Sequence, residues 1–182
     1  MSHPGPSERH RAAGPRGLRV ALLTVSDTRT PATNEGGRLL RRLAEEAGFT
    51  VADEALLPDE LEPLRTRLSE WAAQLGEGAP DAVLVTGGTG LSPRDRTPEA
   101  IAPLFDRRLP GFGELFRMLS FQEIGAAAML SRAEAGAIGP LAVFLLPGSP
   151  AAIELAMRRL IAPELAHVVG QLRGAGKAAH AG

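Results

Sequence analysis

Cysteine is absent from this chain. That excludes disulfides, thiolate metal centres and cysteine nucleophiles. Tyrosine is absent too, and six Phe and one Trp leave few rings on which nucleobases can stack. Neither charge sign dominates: 20 Lys and Arg stand against 21 Asp and Glu, so no basic surface for nucleic acid is indicated. No apolar run reaches the roughly 18 residues of a membrane span. The first residues lack the apolar core of a secretory signal, so the expectation is a soluble cytoplasmic protein. Internal repeats are missing, as are the G-x-x-x-x-G-K-[ST] and G-x-G-x-x-G nucleotide loops.

What is present fits one domain. The 182 residues suffice to bury roughly 70% of their unfolded surface without a staple. Residues 1–17 are rich in Gly, Pro, Ser and Arg and read as a disordered arm, 18–173 as a single domain, and 174–182 as a flexible tail. His3, His10 and His180 fall in these ends and receive no role. His167 reads as packed or solvated.

The chain is organised around Ala82–Ala100. Ala82–Val85 is apolar without alternation, as in a strand buried on both faces of a parallel sheet. Thr86, Gly87, Gly88, Thr89 and Gly90 end it with a loop whose N–H groups can approach an anion. Thr97 then reads as an N-cap with Pro98 at the first helical position. Strand, glycine loop and helix start form a phosphate-site layout, although a plain β–α turn has the same glycines. Arg94-Asp95-Arg96 lies inside it.

Further strands read at Leu18–Val25, Phe49–Leu57 and Leu141–Leu146. Each ends in a polar cluster: Ser26-Asp27, Pro58-Asp59-Glu60, and Pro147-Gly148-Ser149-Pro150. Ser26 and Asp27 fit a turn as well as a ligand loop, and Asp59 fits a helix cap as well as a site carboxylate. Ser149 reads as the N-cap of the last helix, which Pro163 should kink or restart. Helices are expected over residues 31–48, over a stripe Leu61, Leu64, Leu68, Trp71, Ala72 and Leu75, from Pro98 to near Asp106, and from Glu114 to about Glu123 after a turn at 109–113. Trp71 reads as core. Ala133–Ala137 and Leu141–Leu146 flank Ile138-Gly139-Pro140 as a hairpin. The expected fold is a three-layer α/β/α sandwich with a mostly parallel sheet and one antiparallel strand.

TGGTGLSPRDRTPEA, LPGFGELFRMLSFQEIGAAAMLSRAEAG and LLPGSPAA, in that order, resemble the MoaB/MogA family of molybdenum-cofactor biosynthesis proteins, the second phrase being nearer the MoaB branch. The resemblance runs from about Leu18 to about Arg173. It implies Mg2+- and ATP-dependent adenylylation of molybdopterin with release of pyrophosphate. It implies a catalytic-site role for an acid of the Pro58-Asp59-Glu60 stretch, carried to Asp59 before Glu60. Because a terminal phosphate is already largely ionised and needs no base, Asp59 and Asp95 are expected to act as the catalytic pair by holding Mg2+. ATP phosphates would meet Thr86, Gly87, Gly88, Thr89, Gly90, Pro147, Gly148 and Ser149. Molybdopterin would meet Ser26, Asp27, Ser92, Arg94, Thr97, Gly111, Gly113, Glu114, Ser131 and Arg132. Some members carry a hydroxyl residue at the hairpin tip, where this chain has Gly139-Pro140, so one pterin contact is missing or supplied differently. The family forms trimers or hexamers. A catalytically weak pterin- or nucleotide-binding oligomer is the alternative. Phosphoryl transfer to a small molecule is disfavoured by the lack of a Walker lysine.

Overall fold

The computed structural model describes residues 15–174; residues 1–14 of the arm, 175–182 of the tail, and with them His3, His10 and His180, lie outside that range. Strands β1 (Arg19–Val25), β2 (Thr50–Leu57), β3 (Ala82–Thr86), β4 (Arg107–Arg108), β5 (Glu134–Ile138) and β6 (Leu141–Leu146) form one sheet in the order β2-β1-β3-β6-β5-β4. The first four in that order run parallel. β5 pairs antiparallel with both β6 and β4, so it alone is reversed, as expected.

Alternate residues of the inner strands serve two cores. Val20, Leu22, Ala82, Leu84, Phe144 and Leu146 face one layer. That layer holds helices α1 (Glu35–Glu46), α4 (Pro110–Ile124), α5 (Pro150–Ala156) and α6 (Ala162–Leu172). Leu23, Val25, Val83, Val85, Val143 and Leu145 face α2 (Leu61–Ala73) and α3 (Thr97–Ile101). This is why β3 and β6 read as unbroken apolar runs. Trp71 is core, with its Nε1 donating to Asp53 at 3.0 Å and Arg67 over its ring. Across the sheet, Phe112 meets Phe144 edge-on at 5.2 Å.

Local chemistry explains the boundaries. Ser149 caps α5 by accepting from the Ala152 N–H at 3.3 Å. Ser149→Ala is expected to cost about 1 kcal/mol, read as a lowered urea midpoint with unchanged slope. Pro163 has no N–H to donate, and the turn before it widens into a π-helix, Met157–Ile161, that joins α5 to α6. The hairpin tip is the two-residue loop Gly139-Pro140, with Gly139 at φ +57°. Proline cannot follow it with a positive φ, so the turn is the type II′ that matches strand twist.

Five expectations are corrected. Residues 31–48 begin with a separate 3-10 turn, Pro31–Thr33, and Asn34 caps α1. Leu75 lies beyond α2 and is exposed, because the chain turns extended at Gln74. Thr97 is not an N-cap: it is the first residue of α3, and Arg96 is the cap. α3 ends at Ile101 and tightens into a 3-10 turn, Ala102–Leu104, well short of Asp106. Residues 110–113 form the first turn of α4, since Pro110 is suited to that position and buried Phe112 and Gly113 pin it to the sheet. β4, two exposed arginines, carries no apolar signal.

No helix among the described residues is long and apolar enough to cross a membrane.

Candidate functional site

The strand order sets the place of the site. After β1 the chain moves outward to β2, then returns past β1 to β3. The loops after β1 and β3 therefore part in opposite directions and leave a crevice at the carboxyl edge, where open α/β sheets bind ligands. Ser26 and Asp27 leave β1 there, and Thr86 to Gly90 leave β3.

The loops are cross-linked. Asp27 accepts from the Asp59 N–H at 3.0 Å and from Arg94 Nη2 at 2.7 Å, joining three loops through one carboxylate. Ser26 holds its own turn, accepting from Arg29 N–H at 3.3 Å. Asp59 accepts from the Arg96 N–H at 3.1 Å and lies 3.5 Å from the Thr97 hydroxyl. Glu60, not Asp59, is the residue before α2, so the helix-cap reading of Asp59 is excluded.

Both aspartates lean on the glycine loop. Gly88 sits at φ +63°, and a Cβ there would collide with the Asp59 carboxylate and the Thr97 hydroxyl. A Cβ on Gly90 would lie 2.7 Å from Asp95 Oδ2. That same oxygen accepts from the Ser92 N–H at 2.9 Å. The second glycine junction lies alongside: Thr86 donates to the Pro147 carbonyl at 3.1 Å, and Gly148 approaches Gly87. Ser149 is committed to its cap.

Charge follows from this packing. Partial burial pushes the Asp59 carboxyl above its ordinary value, and the nearby Asp95 and Asp27 charges add to the rise against the Arg96 N–H. Asp27 is drawn the other way, first by the Asp59 N–H and also by Arg94. Glu99 resists the effect of burial because Arg132 hydrogen-bonds it, and ends below its ordinary value. Among the described residues no group of three or more Asp, Glu or His side chains forms a closed metal cage. Two carboxylates on one phosphate-competent loop nevertheless suit Mg2+, which takes one or two carboxylates and fills its sphere with phosphate and water oxygens.

The arginines divide. Arg94 is paired to Asp27. Arg132 spends its guanidinium on Gly90, Asp95 and Glu99. Arg96 is exposed, and among the described residues its side chain makes no hydrogen bond or ion pair.

Two shallow cavities adjoin Arg132. One, about 290 Å³, is lined by Leu91, Ser92, Asp95, Arg96 and Glu99. The other, about 340 Å³, is lined by Gly113, Glu114, Arg117, Arg108 and Glu134. Gly113 and Glu114 thus stand by a neighbouring hollow, not against the glycine loop, and Gly111 lines neither. Ser131 lines neither and caps its own turn, accepting from the Ala133 N–H at 3.3 Å. Glu99 and Glu134 escaped the sequence reading. Glu134 had a faint signal, a lone acid opening a strand of small apolar residues; burial pushes its carboxyl up, and Arg108 pairs with it at 3.1 Å. Glu99 had none, since an acid in a first helical turn is ordinary.

Residues 21–167 match a protein-family model described as "Probable molybdopterin binding domain". A curated relative from Bacillus subtilis, molybdenum cofactor biosynthesis protein B, is 50% identical over 167 residues, covering 91% of this chain and 96% of its own. A crystal structure of a molybdenum cofactor biosynthesis protein B superposes with a TM-score of 0.83 at 43% identity, covering 88% and 98% of the two chains. The tungsten cofactor synthesizing protein MoaB from Pyrococcus furiosus superposes with a TM-score of 0.77 at 32% identity, covering 87% and 99%.

Proposed function

Since the chain belongs to the molybdopterin-binding domain family of molybdenum cofactor biosynthesis proteins, we propose that it transfers the adenylyl group of Mg-ATP to the terminal phosphate of molybdopterin. The observation that carries this reading is the pair Asp59 and Asp95, packed two residues apart on one glycine loop at the sheet's switch point.

The step balances without a base. A terminal phosphate oxygen of molybdopterin forms a bond to the α-phosphorus of ATP. The bond from that phosphorus to the bridging oxygen breaks, and pyrophosphate leaves with the electron pair. A phosphate monoester has a second pKa of about 6, so the nucleophile is largely ionised at neutral pH. What remains is alignment and charge cancellation. Mg2+, when bound, neutralises the polyphosphate and orients it. Asp59 and Asp95 would hold the cation, and neither would take a proton. The N–H groups of residues 86–90 would receive phosphate oxygens, and Arg96 is the arginine with charge to offer them. The hollow bearing Gly113, Glu114 and Glu134 has the size and the hydrogen-bonding edges for a pterin ring.

The deciding assay incubates the protein with molybdopterin, ATP and Mg2+ and follows pyrophosphate and adenylylated pterin together. Equal yields of both support the transfer. Bound ligand with neither product overturns it in favour of a binding oligomer.

Assembly belongs to the same reading. Leu115, Met118, Phe121 and Ile124 cover the half of α4 turned from the core, and Met129 and Leu130 follow; all are exposed. Of the i, i+3, i+4 pattern Leu115, Met118 and Leu119, only Leu119 packs against the core, while Leu115 and Met118 point outward, which suits a homo-oligomer, trimer or hexamer. Phe121→Glu should shift the mass measured by light scattering towards the monomer at micromolar concentration, with circular dichroism unchanged.

A further inference from the structure

Among the described residues, Arg132 is the one side chain that ties the segment before β5 to both ends of the Asp95 loop. Its Nε donates to the Gly90 carbonyl at 2.9 Å, its Nη2 to the Asp95 carbonyl at 2.6 Å, and its Nη1 pairs with Glu99. Its backbone N–H adds a bond to the Thr89 carbonyl at 3.2 Å. Between Gly90 and Asp95 the chain has no regular structure. Its internal bonds, Ser92 N–H to Asp95 Oδ2 and Asp95 N–H to the Ser92 carbonyl, both at 2.9 Å, only fold the loop onto itself. Arg132 anchors that folded unit to the sheet, and Glu99, in the first turn of α3, holds the guanidinium from behind.

An arginine so occupied is a poor phosphate clamp. Nε and both terminal nitrogens are engaged by acceptors of the protein, and the side chain is 28% exposed. We propose that Arg132, held by Glu99, is a positioning residue that sets the Asp95 carboxylate for the cation–triphosphate complex, and that it does not contact molybdopterin. This rests on the adenylyl-transfer reading. It departs from the substrate-facing role that family resemblance implied for Arg132.

Lysine separates the two roles. Its ammonium keeps the charge but is a compact point donor on a flexible stem and cannot reproduce a planar fork to three acceptors. A phosphate contact would be partly rescued in Arg132→Lys; a brace would not. The experiment compares the wild type with Arg132→Lys, Arg132→Gln and Glu99→Gln by three readouts. In hydrogen exchange, amides of residues 90–96 should exchange about tenfold faster in both Arg132 variants, and less so in Glu99→Gln. Mn2+ binding in the presence of a non-hydrolysable ATP analogue, followed by electron paramagnetic resonance, should weaken about tenfold. In turnover, kcat should fall and the Mg2+ requirement rise equally in Lys and Gln variants, with the KM for molybdopterin within about twofold of wild type. Unchanged loop exchange, or an Arg132→Lys enzyme close to wild type while Arg132→Gln fails, overturns the brace. A wild type that binds no Mn2+ with nucleotide overturns the adenylyl-transfer reading instead, and loop exchange alone then decides whether Arg132 braces the loop.

Discussion

Asp59→Asn is expected to lower adenylyl transfer about 100- to 1,000-fold, in the range found when one preorganised electrostatic group is removed, while the metal-free chain melts no lower than wild type at pH 8. The two halves of this result have one cause. Asp59 is half-buried among Asp95 and Asp27, and its carboxyl is raised above the ordinary 3.8 by burial first and by those two charges next. An ionised carboxylate there costs stability until a cation arrives. Asparagine keeps an oxygen for the Arg96 N–H, bonded at 3.1 Å in the native chain, but carries no charge to the cation. The sign with pH follows. A raised folded-state pKa means the folded form binds the proton more tightly than the unfolded form does. The penalty is therefore complete above the raised value, shrinks as pH falls through it, and is gone below the unfolded value. Asp27 works in the opposite direction: its carboxyl is lowered, so its stabilising contribution is present at neutral pH and is lost in acid. Thermal melts in chelator, run from pH 8 down towards the ordinary carboxylate range, should show the advantage of Asp59→Asn over wild type narrowing as the carboxyl takes up its proton. A variant that melts well below wild type at pH 8 would show that Asp59 is a structural hydrogen-bonding group and not a charge held ready for a ligand.

Gly88→Ala is expected to damage fold and function together, by about 3 kcal/mol of stability and at least about 100-fold in activity. Two costs add. The backbone at Gly88 has φ +63°, where a residue with a Cβ is strained by about 1–2 kcal/mol. That Cβ would also enter the space of the Asp59 carboxylate and the Thr97 hydroxyl. Thr97 is fully buried and its N–H is bonded to the Gly88 carbonyl at 3.1 Å, so it has little room to yield. Asp59 must then move, and a displacement of about 1 Å in a positioning group is enough for the loss in rate. Denaturant melts and single-turnover pyrophosphate release would test this. A variant with wild-type turnover would mean that the loop adjusts freely and that Asp59 is not held against it.

Legibility in the sequence followed the range of the interaction. Three of the strands, β1, β3 and β6, announced themselves, because a strand covered by helices on both faces needs apolar residues at consecutive positions, as in AVLV before Thr86 and LAVFLL before Pro147. The glycine loop was equally plain, since few residues other than glycine suit its backbone. Leu115 and Met118 were legible as a helical stripe and illegible in meaning: periodicity reveals that a helix has two faces, not which of them meets this chain's own core. The same short range misjudged Thr97. A Thr-Pro pair is a common helix start, and only the arrival of Asp59 from another loop shows where its hydroxyl is directed.

By itself, then, the sequence determined the three-layer α/β class, the parallel core strands with a reversed hairpin strand, the family, and the residue types gathered at the strand ends. Those rest on local sterics, on burial patterns and on long ordered motifs. Tertiary structure alone decided that Asp27 joins three loops, that Asp59 and Asp95 share one glycine loop, and that Arg132 is spent on Gly90, Asp95 and Glu99. The hydrogen bonds and ion pairs that do so join residues 32 to 67 positions apart in the chain. No propensity or spacing encodes such a contact. The sheet order β2-β1-β3-β6 makes them, by bringing the carboxyl ends of parallel strands to one edge.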